Sequence, residues 1–299
     1  MAVVPFTELL ESARERSAAV GAFTCYDLVT GYAVLAAAEA HDVGVILLVS
    51  ASAARAPTGP ALLRGLRTLA EQVRSPSCLQ LDHCDEPALM DMALAAGAGA
   101  IMADGSQLPD DRNAELVGRA VKLASGYEAA VEAELGHIAG DEENADGSGT
   151  GTLTDPVQAD SFVRHTGTQC LAVSIGNIHG RYRHRPRLDF ARLREIRRHV
   201  RTPLALHGAS GLRDADVRRA IGGGICKVNV NQELRSRWFE SVRSLSEAFA
   251  TGAQLLALER RLADDLQDVV AAKLKALAPP AGPIGDQGHH QTIREEQDG

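Results

Sequence analysis

Eight short apolar runs, alternating with stretches of helical periodicity, most tightly limit how this chain can fold. They lie at Val20 to Thr24, Val45 to Val49, Cys78 to Leu81, Ala100 to Met102, Ala130 to Leu135, Cys170 to Val173, Pro203 to Leu206 and Cys226 to Asn229. Strands that alternate with helices build a parallel sheet wrapped by helices, and eight is a number of strands that closes into a barrel. One such barrel takes about 250 residues. The 299 residues therefore accommodate one barrel and an extension. The expected fold class is α/β, a (β/α)8 TIM barrel with a C-terminal helical extension. Residues 1–278 form the domain, and 279–299, rich in Pro, Gly, Gln and charge, form a disordered tail.

Residues between the runs carry helix signals. Thr154-Asp155-Pro156 sets an acidic cap before a proline at the first helical position, with Val157, Phe162 and Val163 following. Asp189 caps Phe190, Leu193, Ile196 and Val200 in the same way. Leu255 to Leu277, with Leu256, Leu258, Leu262 and Leu266, is too long to be only the eighth barrel helix. It is expected to pack across the barrel or against another subunit. One loop stands out: Gly136 to Thr152, GHIAGDEENADGSGTGT, with four acids and five glycines. Loops of this length are usually functional lids or unstructured. A mobile flap carrying a catalytic carboxylate is one reading, and a solvated acidic loop the other.

Composition narrows the ligands. The chain is 45% apolar and 23% charged with a net charge of −8, which argues against a nucleic-acid groove or an anionic membrane surface as the main partner. Five scattered cysteines, Cys25, Cys78, Cys84, Cys170 and Cys226, form no CxxC pair, so neither a disulfide framework nor a zinc knuckle is suggested. The N-terminus, MAVVPFTELLESARER, lacks the basic and apolar regions of an export signal, and no apolar stretch is long enough to span a bilayer. A cytoplasmic protein acting on small molecules is expected.

Three histidines close strand runs in distinctive settings: His83 in LQLDHC, His179 in AVSIGNIHG and His207 in LALHGASG. Glu134 closes a fourth run, VEAELG. A barrel gathers such strand-end groups on one face. Three imidazoles meeting there would hold a divalent metal and leave positions open for substrate. Asp82 immediately precedes His83. Neighbours on a strand point to opposite sides, but a turn at the strand end can bring both to the barrel mouth. His41, His137, His165, His184 and His199 are read as ordinary polar residues, and His289 and His290 belong to the tail.

These residues sit in motifs that resemble the class II, metal-dependent ketose-bisphosphate aldolases, and within them most nearly the tagatose-bisphosphate aldolase branch. The similarity runs in register from about Ser17 to Leu277 through LDHC, IMADGS, VEAELG, TDPVQADSFV, LAVSIGNIHGRY, LDFARLREIR, LALHGASGL and GICKVNV. It implies reversible cleavage of a ketose phosphate or bisphosphate to dihydroxyacetone phosphate and an aldehyde, through a zinc-stabilised enediolate. His83, His179 and His207 would be the ligands of zinc or another divalent metal, with Glu134 and Asp104 at an alternative or second metal position. Asp82 would be the proton donor to the aldehyde oxygen in condensation and the base in cleavage. Glu142 aligns with the flap carboxylate that removes a proton from the hydroxymethyl carbon of the ketone donor. Gly180, Gly208, Ala209, Ser210 and Asn229 fall where the family binds phosphate, and Ser50 at a further substrate contact. A monovalent cation, Na+ or K+, and a homodimer or homotetramer are also implied.

The chain departs from the family in places. Asn229-Val230-Asn231-Gln232 stands where NVAT or NIDT is common, so Asn231 and Gln232 complete the phosphate turn without the usual Thr hydroxyl. Thr24 replaces an Asn, Ala139 a flap Gly and Gln80 a His. Arg181, Arg183, Arg185 and Arg187 alternate after His179, either as positive charge for an anionic acceptor or as a solvated loop. Two alternatives stay open. A Schiff-base mechanism would need an interior lysine, and of four lysines only Lys227 lies in a barrel strand. A degenerate barrel serving as a binding or regulatory subunit, or an aldolase for a specialised acceptor, would fit the altered NVNQ segment.

Overall fold

Eight parallel strands close on themselves in sequence order: β1 (Val20–Thr24), β2 (Val45–Ser50), β3 (Ser77–Cys84), β4 (Ala100–Ala103), β5 (Ala130–Leu135), β6 (Cys170–Val173), β7 (Leu204–Leu206) and β8 (Ile225–Val230), with β8 pairing back onto β1. The computed structural model describes residues 3–140, 151–180, 187–249 and 254–279. The helices of this TIM barrel are α1 (Phe6–Glu15), α2 (Leu28–His41), α3 (Ala51–Arg55), α4 (Gly59–Gln72), α5 (Pro87–Ala95), α6 (Asp110–Ser125), α7 (Pro156–Thr166), α8 (Phe190–His199), α9 (Asp214–Gly222), α10 (Gln232–Phe249) and α11 (Leu255–Leu277). Strands β1, β5 and β6 keep the bounds read from the sequence, whereas β3 runs three residues further and takes in Asp82 and His83. The tail beyond Pro279 lies outside the described residues.

Alternation along each strand separates two cores. One parity packs outward with the helices around Phe23, Leu47, Leu79, Ile101, Val131 and Leu171. The other points into the barrel, where Ala22, Cys78, Ala100, Ala130, Cys170, Ala172 and Ala205 are mostly small. Phe6, Leu9, Leu10 and Ala13 of α1 join this inner cluster and plug the N-terminal mouth. Small inward side chains leave room, one step nearer the C-terminal mouth, for the fully buried Gln80, Glu132 and Lys227. The five cysteines are buried free thiols.

Helix starts follow the capping signals. Asp155 accepts from the N–H groups of Val157 and Gln158 at 2.9 Å each, and Asp189 from that of Arg192 at 2.9 Å. Helix α11 has the expected bounds and packs over the outside of the barrel against α2, α10 and α9. Its last carbonyl, on Leu277, accepts from the Ala19 N–H at 3.1 Å ahead of β1. Among the described residues no helix is long and apolar enough to cross a membrane.

Candidate active site

The backbone of His83 adopts a positive φ of 46°, and the β3–β4 register shifts between Leu81 and Cys84. A non-glycine residue in this region carries strain of about 1–3 kcal/mol. The distortion cancels strict alternation, so Asp82, wholly buried, and the imidazole of His83 both reach the inner mouth of the barrel. His179 arrives from the loop after β6, where its N–H is held by Ala139 O at 2.7 Å. His207 directly follows β7. Gly208, next to it, has φ of +60°, and a Cβ there would lie 2.1 Å from Ile178 O, so only glycine lets the two His-bearing loops meet. Buried Asn177 ties the same loops, donating to His207 O at 3.0 Å.

Ligand atoms of His83, His179 and His207 lie within 4.8 Å of one another, as do those of His83, Asp104 and Glu134. Ligand nitrogens around a tetrahedral cation with bonds of about 2.0–2.1 Å sit roughly 3.3 Å apart. The donor set fits such a cation for a further reason. His83 Nδ1 lies 2.6 Å from Asp104 Oδ2, and His207 Nε2 lies 2.7 Å from Glu132 Oε1. The two carboxylates are held well below their ordinary range: burial pushes both up, but His83 outweighs it at Asp104, and Lys227 and His207 at Glu132. Ionised carboxylates can only accept, which assigns the outer N–H of each ring. The remaining nitrogens, His83 Nε2 and His207 Nδ1, face each other at 2.9 Å, with Asn229 Nδ2 3.4 Å from the latter, so that with both rings neutral two lone pairs converge where a cation could be shared. Burial also lowers the affinity of His179 and His207 for protons, with the neighbouring imidazoles adding to it, so both favour the neutral form that ligation requires.

Glu134 differs from its neighbours. Burial, and then the charge of Asp104, push its carboxyl up to about 8. Its Oε1 accepts from Ile138 N–H at 3.0 Å, and among the described residues its buried Oε2 has no hydrogen-bond partner. A cavity of about 720 Å³ opens above, lined among others by Ser50, His83, Asp104, Ser106, Glu134, His137 and His179. Ser50 also caps α3 through Ala53 N–H at 3.3 Å.

Beneath this surface lies a buried polar layer that the sequence reading missed. Glu132 accepts from Gln80 Nε2 and pairs with Lys227 Nζ, both at 2.8 Å. Lys227 Nζ also donates to Asn229 Oδ1 at 2.7 Å, and Asn229 Nδ2 faces the two Asp82 oxygens at 3.2 and 3.4 Å. Burial works against the Lys227 charge, but Glu132 and Asp82 outweigh it and raise its pKa. An ammonium so committed is unsuited to Schiff-base formation, which needs a free amine. The missed signal was spacing. Gln80, Glu132 and Lys227 each stand two residues before Asp82, Glu134 and Asn229, hence on the same strand face.

The expected phosphate residues are brought only partly together. Gly180, Ser210 and Gln232 line a separate cavity of about 490 Å³ with Gly211, Glu233, Ser236 and Arg237. Ser210 Oγ donates to Glu233, whose other oxygen pairs with Lys273 Nζ of α11 at 2.6 Å. Gln232 donates to Ser236 Oγ at 3.1 Å and accepts from Arg235 at 2.6 Å, so its amide is engaged along α10. Asn231 exchanges hydrogen bonds with Tyr26 OH at 3.2 and 3.3 Å. Ala209 is buried beside them. Glu142, with Arg181, Arg183, His184 and Arg185, lies outside the described residues. Gly140, two positions before Glu142, lines the larger cavity, and the neck of that loop is closed by paired bonds of 2.8 and 2.9 Å between His137 and Thr152. His137 itself, read as ordinary, lies in the cavity wall with Nδ1 3.4 Å from Ser106 Oγ.

Comparison with known proteins bears on this geometry. A family profile described as fructose-bisphosphate aldolase class-II matches residues 4–279. A fructose-bisphosphate aldolase of Geobacillus stearothermophilus is 34% identical over 254 residues, which is 82% of this chain and 86% of that one. Among solved structures, the YdjI aldolase of Escherichia coli K12 is similar with a TM-score of 0.83 and 28% identity, over 93% of this chain and 98% of that one. A fructose-bisphosphate aldolase of Campylobacter jejuni overlays with a TM-score of 0.78 over 92% and 95% of the two chains; at 19% identity it speaks for the fold alone.

Proposed function

The chain belongs to the class-II fructose-bisphosphate aldolase family, and from that premise we propose that it cleaves a ketose phosphate or bisphosphate reversibly to dihydroxyacetone phosphate and an aldehyde. The observation that carries the reading is the convergence of His83, His179 and His207 beside buried Asp82. In this reading the three imidazoles hold zinc, and Glu134 with Asp104 offers a second position through the ring they share, His83. When bound, the cation supplies a Lewis acid that draws electrons toward the ketose carbonyl.

The remaining chemistry falls to the chain. In cleavage Asp82 takes the proton of the hydroxyl on the carbon that becomes the aldehyde. The electrons of the carbon–carbon bond move into the carbonyl half of the sugar. Glu142 returns a proton to the hydroxymethyl carbon, and condensation reverses each transfer. Asn229 orients Asp82 through its amide. Phosphate is taken by the backbone around Gly180 and Gly208 to Ser210, the glycines leaving its N–H groups accessible, at the strand ends where barrel enzymes often bind phosphate. The expected homo-oligomer and monovalent cation belong to the same proposal.

The test is direct cleavage by the purified chain without partner proteins, offered fructose and tagatose bisphosphates and their 1-phosphate analogues, with dihydroxyacetone phosphate as the measured product. A chelator should abolish turnover, and zinc or cobalt should restore it. Full activity in metal-free protein that borohydride and substrate then inactivate would overturn the mechanism. No product from any of these sugars at saturating zinc would overturn the activity.

A further inference from the structure

We propose that Lys227 is a positioning residue that, through Glu132 on one side and Asn229 on the other, holds both the metal ligand His207 and the acid–base group Asp82. The inference rests on the aldolase reading above.

An ammonium has three donors and no acceptor. Lys227 spends one on Glu132 Oε2 at 2.8 Å and one on Asn229 Oδ1 at 2.7 Å, in a wholly buried position. Gln80 supplies Glu132 with a further donor at 2.8 Å, leaving Oε1 for His207 Nε2 at 2.7 Å. A carboxylate fixed in this way sets the tautomer of the imidazole and makes its inner nitrogen a better ligand. On the other arm, binding of Asn229 Oδ1 by the ammonium decides which end of the amide faces Asp82. Nδ2 turns toward both carboxylate oxygens, at 3.2 and 3.4 Å. With the amide reversed, an oxygen would oppose the carboxylate.

Energetics favour a geometric task over a stabilising one. Each buried ion costs several kcal/mol in desolvation, and apolar side chains of similar volume often serve a fold as well or better. The surrounding inward strand residues are Ala, Cys, Val, Ile, Leu and Met, so an apolar layer would suit this barrel. A charged pair there, joined to groups at the mouth, is instead suited to orienting them.

The experiment compares the wild type with Lys227→Met, with Glu132→Gln and with Glu132→Gln/Lys227→Met, the last of which removes both charges of the buried pair together. Zinc affinity is measured by chelator competition, alongside thermal melting and kcat and KM at saturating zinc. The double variant should melt cooperatively, bind zinc about ten- to a hundredfold more weakly, and keep a depressed kcat with little change in KM after zinc is saturated. If Lys227→Met alone does not fold, the double variant is compared with Glu132→Gln, and a further loss of kcat beyond that of Glu132→Gln is the share Lys227 carries through Asn229. Zinc affinity within twofold of the wild type overturns the proposal, as would be the case for a purely structural pair. Full recovery of kcat at saturating zinc also overturns it, by removing the link to Asp82. A wild-type chain that cleaves no ketose phosphate, with zinc affinity still lost in the variant, would count against the proposed activity and support the Lys227–His207 connection.

Discussion

Asp82 and His83 are adjacent yet suited to different work because the backbone turns between them. Asp82 keeps the inward direction of its strand and meets Asn229, while the left-handed turn at His83 swings the imidazole toward His207 and Asp104. Removing the carboxylate should therefore leave the imidazoles in place. For Asp82→Ala we expect kcat to fall by about 10²–10⁴-fold, with zinc content near one per chain by elemental analysis. Loss of zinc in parallel with activity would make Asp82 part of the metal site and not the acid–base group. Much at this scale was legible: the three histidines, Asp82 and Glu134 stand at strand ends, where a barrel exposes polar groups to its mouth. Glu132 and Lys227 were not, because charges inside an apolar strand are exceptional and only three-dimensional proximity identifies their partners. Gln232 was legible as a departure but not in its effect, since its amide could turn toward the cavity or along α10, and Ser236 and Arg235 take it along the helix.

Among the elements, α11 has a role that its helical pattern did not reveal. Amphipathic spacing says that a face is buried, not against what, and the helix docks on α2 and α10. From there Lys273 reaches Glu233 at the start of α10, and Glu233 accepts from Ser210 in the loop after β7. The extension thus braces the loop after β7 that is proposed to take phosphate. Burial raises the Glu233 carboxyl, but Lys273 and then Ser210 outweigh it, so its pKa lies below the ordinary value. A carboxyl depressed in the folded state adds stability above its unfolded pKa and loses it as pH falls through the folded value. Lys273→Met should therefore lower stability at neutral pH by about 1–2 kcal/mol, as befits a pair that is neither fully exposed nor fully buried. That corresponds to a melting temperature lower by roughly 2–8 °C. The gap between variant and wild type should begin to narrow as pH falls below about 4.3, the unfolded value, and close below the depressed folded value of the wild type. Equal gaps at pH 7 and pH 3.5 would remove the ion pair from the account.

At the level of the whole molecule, the barrel closes by hydrogen bonds all around, yet its C-terminal mouth is held together by loops. His83 ends β3, His179 follows β6 and His207 follows β7, so one cation would tie three separated parts of the chain. At the other end, α1 plugs the opening with Phe6, Leu9 and Leu10 and needs no such tie. The architecture was legible because strand and helix signals alternate eight times. The cross-link was only half legible, since the sequence places the ligands but not the 2.9 Å approach of His83 Nε2 to His207 Nδ1. A cation held by three rings that only the fold brings together binds the folded chain in preference to the unfolded one. Zinc at one hundred times its dissociation constant should then add about 2.7 kcal/mol of stability. For a chain of this size the gain is a rise of roughly 5–10 °C in melting temperature over chelator-treated protein, seen by calorimetry. Zinc bound to histidines and thiols of the unfolded chain would reduce the gain, so the decisive comparison is with His207→Ala, which keeps the other ligands. The rise should shrink to a small fraction of the wild-type value in that variant. An equal rise in both proteins would mean that zinc stabilises the fold from somewhere other than the three-histidine site.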